Sequence, residues 1–358
     1  MAKFTGFDIG LSSFLPLDVL IPCAQAAERN GFQRVWLAES YHARGVFSTL
    51  SAVAHHTQSI GLGSGIVSPF SRHPGILAME AAALDELSGG RFTLGLGTAY
   101  AQLSKHQVKD PKPIAALREA IEMVRLVIRG EEQGGSERVF MLGRAGERRT
   151  YSGKVFTFGG SGVSIEFDPV RRDLPIFVGS MGPRTLQMAA EVADGILLNF
   201  FLTPAFLKDA MNYIRKGAEK GGKDPNALDI RSYLIVSVDK DRAAAKKAAR
   251  SLVAYYCAKE GSEQRRYDFA GIGEEERLEV RDRVRRHFAE GEAEKGEACI
   301  PDAWVDNLTV SGTPEEVSEK LDRFAEEGLT SPACYHVLGP DPLKAIDLLA
   351  QEVMPHFL

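Results

Sequence analysis

A short apolar run, Pro175–Val178, stops at Gly179-Ser180-Met181-Gly182-Pro183, and a helix-patterned segment follows with Leu186, Ala189, Ala190 and Ala193 on one face. A glycine turn between a strand and a helix N-terminus can grip an anion. Free backbone N–H groups point outward, the dipole adds about half a positive charge, and glycine lets a phosphate approach closely. The turn predicts a grip on the phosphate of a flavin-like cofactor, with an ordinary tight connection as the alternative. Other chemistry is poorly organised. The stretch Gly159–Val163 lacks the last glycine of G-x-S-x-G, and Walker A and H-E-x-x-H patterns are absent. His55 and His56 are adjacent in a helical pattern and face different ways, which argues against a shared metal. His73, at a loop-to-helix entry, reads as a cap rather than a catalyst. A chain without a nucleophile, metal motif or triad suits an enzyme whose cofactor carries the chemistry.

The elements that must position such a site alternate regularly. Strand patterns at Gly6–Leu11, Arg34–Ala38, Ile60–Val67, Arg91–Leu96, Pro175–Val178, Gly195–Asn199, Ile230–Val238 and Ala333–Leu338 are each followed by a helical pattern. Eight such units predict an α/β fold, a (β/α)8 TIM barrel. A doubly wound sheet would need G-x-G-x-x-G in the first unit, which lacks it. Residues 1–358 read as one domain with insertions around 130–173 and 261–300. In the first insertion, Lys154–Phe158 and Val163–Phe167 predict a hairpin across Gly159–Gly162. The second, with Glu279 before Arg283 and Asp282 before Arg286, reads as a solvent-facing helical excursion. Thr313-Pro314-Glu315-Glu316 predicts a capped helix start.

Composition narrows the partners. The 358 residues carry 43 basic and 48 acidic side chains, a net charge of −5, with no footprint for nucleic acid or an anionic membrane. Four scattered cysteines without a C-x-x-C pair predict reduced thiols in a cytoplasmic protein. No apolar run approaches the roughly 18 residues of a membrane span, and the N-terminus lacks an export signal's apolar region. In a barrel, active residues project from the C-terminal strand ends. Those ends predict a polar ring of Asp8, Ser12, Ser13, Glu39, Ser40, Tyr41, His42, Ser64, Gly65, Ile66, Ser68, Thr98, Tyr100, Gly179–Gly182 and Asn199.

Four segments carry a resemblance: IGLGSGIVSPFSRHP (Ile60–Pro74), LDELSGGRFTLGLGTAY (Leu84–Tyr100), PIFVGSMGPRTLQMAAEVADGIL (Pro175–Leu197) and SGTPEEVSEKLDRFAEEG (Ser311–Gly328). Together they resemble the bacterial luciferase-like oxidoreductases, in particular the branch that uses the deazaflavin coenzyme F420 and includes methylenetetrahydromethanopterin reductase. The resemblance implies an eight-stranded barrel, a homodimer, and hydride transfer between F420 and a small organic substrate. An FMN-dependent monooxygenase and a cofactor-free binding protein are the alternatives. It further implies a non-prolyl cis peptide at Gly65-Ile66, just after Ser64, that backs the cofactor ring. The phosphate grip falls at Gly179, Ser180, Met181 and Gly182, and Thr98 and Tyr100 flank the ring. Glu39 falls where several members place an acid near the reactive edge, with His42 and Tyr41 in reserve. The dehydrogenase members carry Asp-His there; Ser40 after Glu39 departs from that pattern.

Overall fold

The computed structural model describes residues 3–40, 43–99, 112–129, 151–158, 165, 167–259 and 264–358. Eight strands make its wall: β1 (Asp8–Ser12), β2 (Arg34–Ala38), β3 (Gly61–Ser64), β4 (Phe92–Leu96), β5 (Ile176–Gly179), β6 (Gly195–Leu198), β7 (Asp229–Val238) and β8 (Ser331–Leu338). Each pairs in parallel with the next, and β8 returns to β1, so the sheet closes into a (β/α)8 barrel. Apolar side chains on one face of the strands pack against the surrounding helices, which supplies most of the core.

The lumen is filled by pairing large residues with absent ones. Trp36 on β2 occupies the space in front of Gly63 on β3, where a Cβ would lie 2.4 Å from the indole. Phe177, Leu197, Tyr233, Ala333 and Tyr335 complete this inner cluster. Asp8 stands at the beginning of β1, at the base of the barrel and not on the catalytic rim where the sequence reading put it. It accepts hydrogen bonds from Trp36 Nε1 at 2.6 Å and from Arg231 Nη1 at 2.6 and 2.7 Å. Burial alone would lower the Arg231 pKa, but Asp8 and Asp229 outweigh it and raise it. That buried network ties the floor of the barrel together, which explains an acid inside an apolar strand.

In the first insertion, Thr157–Phe158 pairs antiparallel with Tyr151–Ser152, a hairpin upstream of the expected one, most of whose second strand lies outside the described residues. Its turn forms there because the Glu119 carboxylate accepts from the backbone N–H groups of Lys154, Val155 and Phe156 at 2.7–3.0 Å. The Gly159–Gly162 turn lies outside the described residues. The second insertion is no solvent-facing excursion. Its helices Gln264–Asp268 and Glu274–Ala289 share a second core with helices Arg242–Ala258 and Asp302–Leu308. Tyr267, Val280, Val284 and Trp304 make that core, their helical spacing masked in the sequence by surrounding charge. A further strand, Val310–Gly312, pairs with Val236–Val238 beyond the end of β6. Thr313 and Glu316 form the expected capping box. All four cysteines are buried and free, and no described helix is long and apolar enough to cross a membrane.

Candidate active site

At the end of β3 the chain passes through a cis Gly65–Ile66 peptide. The Gly65 carbonyl accepts a hydrogen bond from the Tyr233 hydroxyl at 3.0 Å. The bulge lays Ile66 across the ends of β4 and β5. A Cβ on Gly97 would come within 2.7 Å of Ile66 Cγ1, and one on Gly179 within 2.5 Å of Cγ2. Only glycine at both positions leaves room for this side chain, which forms a half-buried apolar seat at the barrel mouth.

The anion corner adjoins that seat. Ser180 Oγ accepts from the Gly182 N–H at 3.2 Å. Helix Pro183–Val192 begins at Gly182 with no side chain capping it, and a Cβ on Gly182 would meet nothing within 4 Å. First-turn N–H groups are thus open to an incoming anion. Two contacts brace the turn from behind. The Asn199 N–H lies 3.2 Å from Met181 Sδ, and Arg265 Nη1 donates to the Met181 carbonyl at 3.0 Å. Arg265 also ion-pairs with Asp209 and packs 4.6 Å from the Phe206 ring centroid, so the second insertion holds the turn in place. A planar apolar ring over Ile66 with a phosphate on the turn fits this arrangement.

The other residues expected at the mouth divide. Ser64 is fully buried and exchanges two hydrogen bonds with Gly95, donating to its carbonyl at 3.1 Å and accepting from its N–H at 2.8 Å. Its hydroxyl therefore staples β3 to β4 behind the seat. Thr98 is half-buried, its carbonyl accepting from Ser68 Oγ at 3.2 Å. Glu39 forms a bidentate ion pair with Arg72, at 2.7 and 2.9 Å. His73 caps helix Pro74–Leu87, its Nδ1 accepting from the Gly75 N–H at 3.2 Å, and its ring stacks on Phe158 of the hairpin. Tyr41, His42 and Tyr100 lie outside the described residues.

Sequence reasoning missed Arg72 and an aromatic wall. Phe200, after β6, lies 3.9 Å from Tyr256 between ring centroids and stacks parallel to Tyr335. Tyr335 lies 4.4 Å from Tyr233, whose hydroxyl holds the Gly65 carbonyl. Burial pushes the phenols of Tyr233 and Tyr256 well above their ordinary pKa, and that of Tyr335 to about 12. All three remain hydrogen-bond donors at neutral pH. Tyr233 and Tyr335 sit at lumen-facing positions of β7 and β8, a clue available once the barrel register is known.

The sequence model of the luciferase-like monooxygenases matches residues 5–331. The chain belongs to this family. Among luciferase-like relatives, the 5,10-methylenetetrahydromethanopterin reductase of Archaeoglobus fulgidus is 32% identical over 330 residues, covering 92% of each chain. The enzyme of the same name from Methanolobus tindarius is 31% identical over 347 residues, 95% of this chain and 98% of its own. The solved coenzyme F420-dependent tetrahydromethanopterin reductase of Methanopyrus kandleri superimposes with a TM-score of 0.85 at 27% identity over 100% of both chains. An FMN-bound luciferase-like structure, the oxygenating constituent of 3,6-diketocamphane monooxygenase from Pseudomonas putida, shares the fold at a TM-score of 0.67 and 20% identity over 99% of each chain.

Proposed function

We propose that this chain is a coenzyme F420-dependent oxidoreductase acting on a small organic substrate. The observation that carries the reading is the Ile66 seat over Gly97 and Gly179, set against an uncapped helix N-terminus. When bound, the deazaflavin supplies hydride exchange with a carbon–nitrogen or carbon–carbon double bond, or with an alcohol. The chain's residues have separate tasks in this reading. Gly65, Ile66 and Thr98 back and flank the ring, while Gly179, Ser180, Met181 and Gly182 hold the phosphate. Ser64 supports the seat from behind. Phe200, Tyr256 and Tyr335 wall off water on one side. Glu39, held in orientation by both arms of Arg72, keeps lone pairs on Oε1 and Oε2 with which to accept a proton or orient the substrate. Orientation in a dry site can supply about 7–11 kcal/mol of a barrier without a strong acid or base.

The relatives named as F420-dependent support the deazaflavin over FMN. We further read the chain as one domain that assembles as a homodimer. Ile76, Met79 and Leu87, at helical spacing on Pro74–Leu87, are exposed at 46%, 46% and 54% and offer a surface for a second copy. Fluorescence titration of the purified protein with F420 and, separately, with FMN tests the cofactor. Micromolar F420 binding is expected; FMN binding with none of the deazaflavin overturns the proposal, and binding of neither points to a cofactor-free protein.

A further inference from the structure

A cavity of about 380 Å³ lies outside the barrel wall, where β6 has ended and Val310–Gly312 takes up pairing with β7. Leu234 and Ile235, two of the three β7 residues between those two pairings, form its back. Its volume falls at the lower end of the roughly 300–1,000 Å³ of small-molecule sites. Phe201, Phe269 and Phe324 make its walls apolar. Two consecutive phenylalanines separate it from the barrel mouth. Phe200 packs on Tyr256 and Tyr335 of the mouth, whereas Phe201 lines the cavity. Phe201 has φ +59°, a left-handed conformation that bulky residues rarely adopt.

One end of the cavity is cationic. Lys320 Nζ donates to the carbonyls of Asp306 and Thr309, both at 3.1 Å, and lies 4.0 Å from the Asp306 carboxylate, too far for a hydrogen bond, so its third N–H can still meet a ligand. Its side chain is 24% exposed. Burial, with help from Lys246, pulls its pKa down to about 8 against the opposing pull of Asp306 and Glu316. The charged groups around it are Lys246 and Arg242 on helix Arg242–Ala258, Asp306 on helix Asp302–Leu308, and Glu316 and Arg323 on its own helix. Asp306 is itself ion-paired with Lys246. A chamber walled by three phenylalanines, with Lys320 and Arg323 at its polar end and the Asp306 carboxylate there drawn off by Lys246, complements an amphipathic anion.

We propose that this cavity is a second ligand site, taking a small monocarboxylate whose apolar body lies among the phenylalanines and whose carboxylate meets Lys320. The ligand's negative charge favours the ammonium form, so binding takes up a proton at and above the pH where free Lys320 titrates, and affinity falls as pH rises beyond it. The site is independent of the cofactor at the mouth.

Calorimetric titration of the whole protein with octanoate tests the proposal. One octanoate per chain is expected, with affinity lower by about tenfold or more on going from about pH 7 to about pH 9.5. Lys320→Met should abolish binding. Because Lys320 also bridges two carbonyls, Ala205→Trp provides a second variant: Ala205 is exposed at the cavity rim, and the indole should block entry without burdening the fold. Octanol binding as tightly as octanoate overturns the proposal. So does pH-independent affinity, or full binding by well-folded Ala205→Trp. Displacement of octanoate by F420 would locate it in the barrel mouth and overturn the proposal as well.

Discussion

Arg72 donates to both carboxylate oxygens of Glu39, at 2.7 and 2.9 Å, while its Nε lies 3.5 Å from Glu80. One guanidinium thus serves an acid at the barrel mouth and another on the outer helix Pro74–Leu87. Burial raises the Glu80 pKa and Arg72 opposes that rise. Arg72→Met leaves two acids facing each other and should lower stability by about 2–3 kcal/mol. Arg72→Lys should recover only part of this, because a single ammonium cannot make the forked contact. Urea unfolding measures both. Glu39→Gln should keep the fold and the cofactor affinity but lower kcat by at least about tenfold, on the scale of a lost general acid or base. Unchanged turnover would remove Glu39 from the catalytic residues.

Gly179→Ala places a methyl where Ile66 Cγ2 now sits. The expected result is about tenfold weaker F420 binding together with an overpacking cost of about 1–3 kcal/mol. Ile66→Ala in the same chain should relieve the clash, so the double variant should be more stable than the sum of the single effects predicts. Strict additivity in a double-mutant cycle would show that Gly179 does not act through Ile66.

Tyr233→Phe removes the hydroxyl that meets the buried Gly65 carbonyl and leaves that acceptor unmatched. A loss of about 1–3 kcal/mol is expected in chemical denaturation. A change below experimental error would mean that the bulge does not depend on this bond.

Glu28 Oε1 accepts from the N–H groups of Gln58, Ser59 and Ile60 and from the Ser59 hydroxyl, at 2.6–3.1 Å. Burial would raise its pKa, but these four donors outweigh it and hold the carboxyl below its ordinary value. A depressed folded-state pKa contributes stability that is complete above the unfolded value of about 4.3 and lost as pH falls through the folded value. Wild type should therefore exceed Glu28→Gln in stability near neutral pH, with the gap closing in acid. Denaturant midpoints across that range check the sign; a gap that widens in acid contradicts it.

What was legible in the sequence followed from local signals. Apolar runs located all eight barrel strands, and Arg34–Ala38 matched to the residue. Gly179 stood out because glycine marks where backbone must approach something closely, and Gly65 through the family resemblance. Arg72 did not stand out, since its partner lies 33 residues away on another strand end. Tyr233 acts on Gly65 across 168 residues. Neither pairing has a periodicity to read. The Tyr151–Phe158 hairpin escaped notice for the same reason: Glu119, the side chain that fixes its turn, belongs to the preceding helix.

The pairing of Val310–Gly312 with β7 determines how this chain can be recombined with its relatives. The chain leaves the wall after Val238, runs through helix Arg242–Ala258 and the second insertion, and returns to the wall at Val310 on the edge that β6 also uses. Trp304, just beyond 300, donates its indole N–H to Glu276 inside the insertion at 2.9 Å. A chimera cut at 261 and 300 would divide that bond and split the second core. The cassette that can be exchanged intact runs from Asp239 through Gly312, carrying its own length of barrel wall with it.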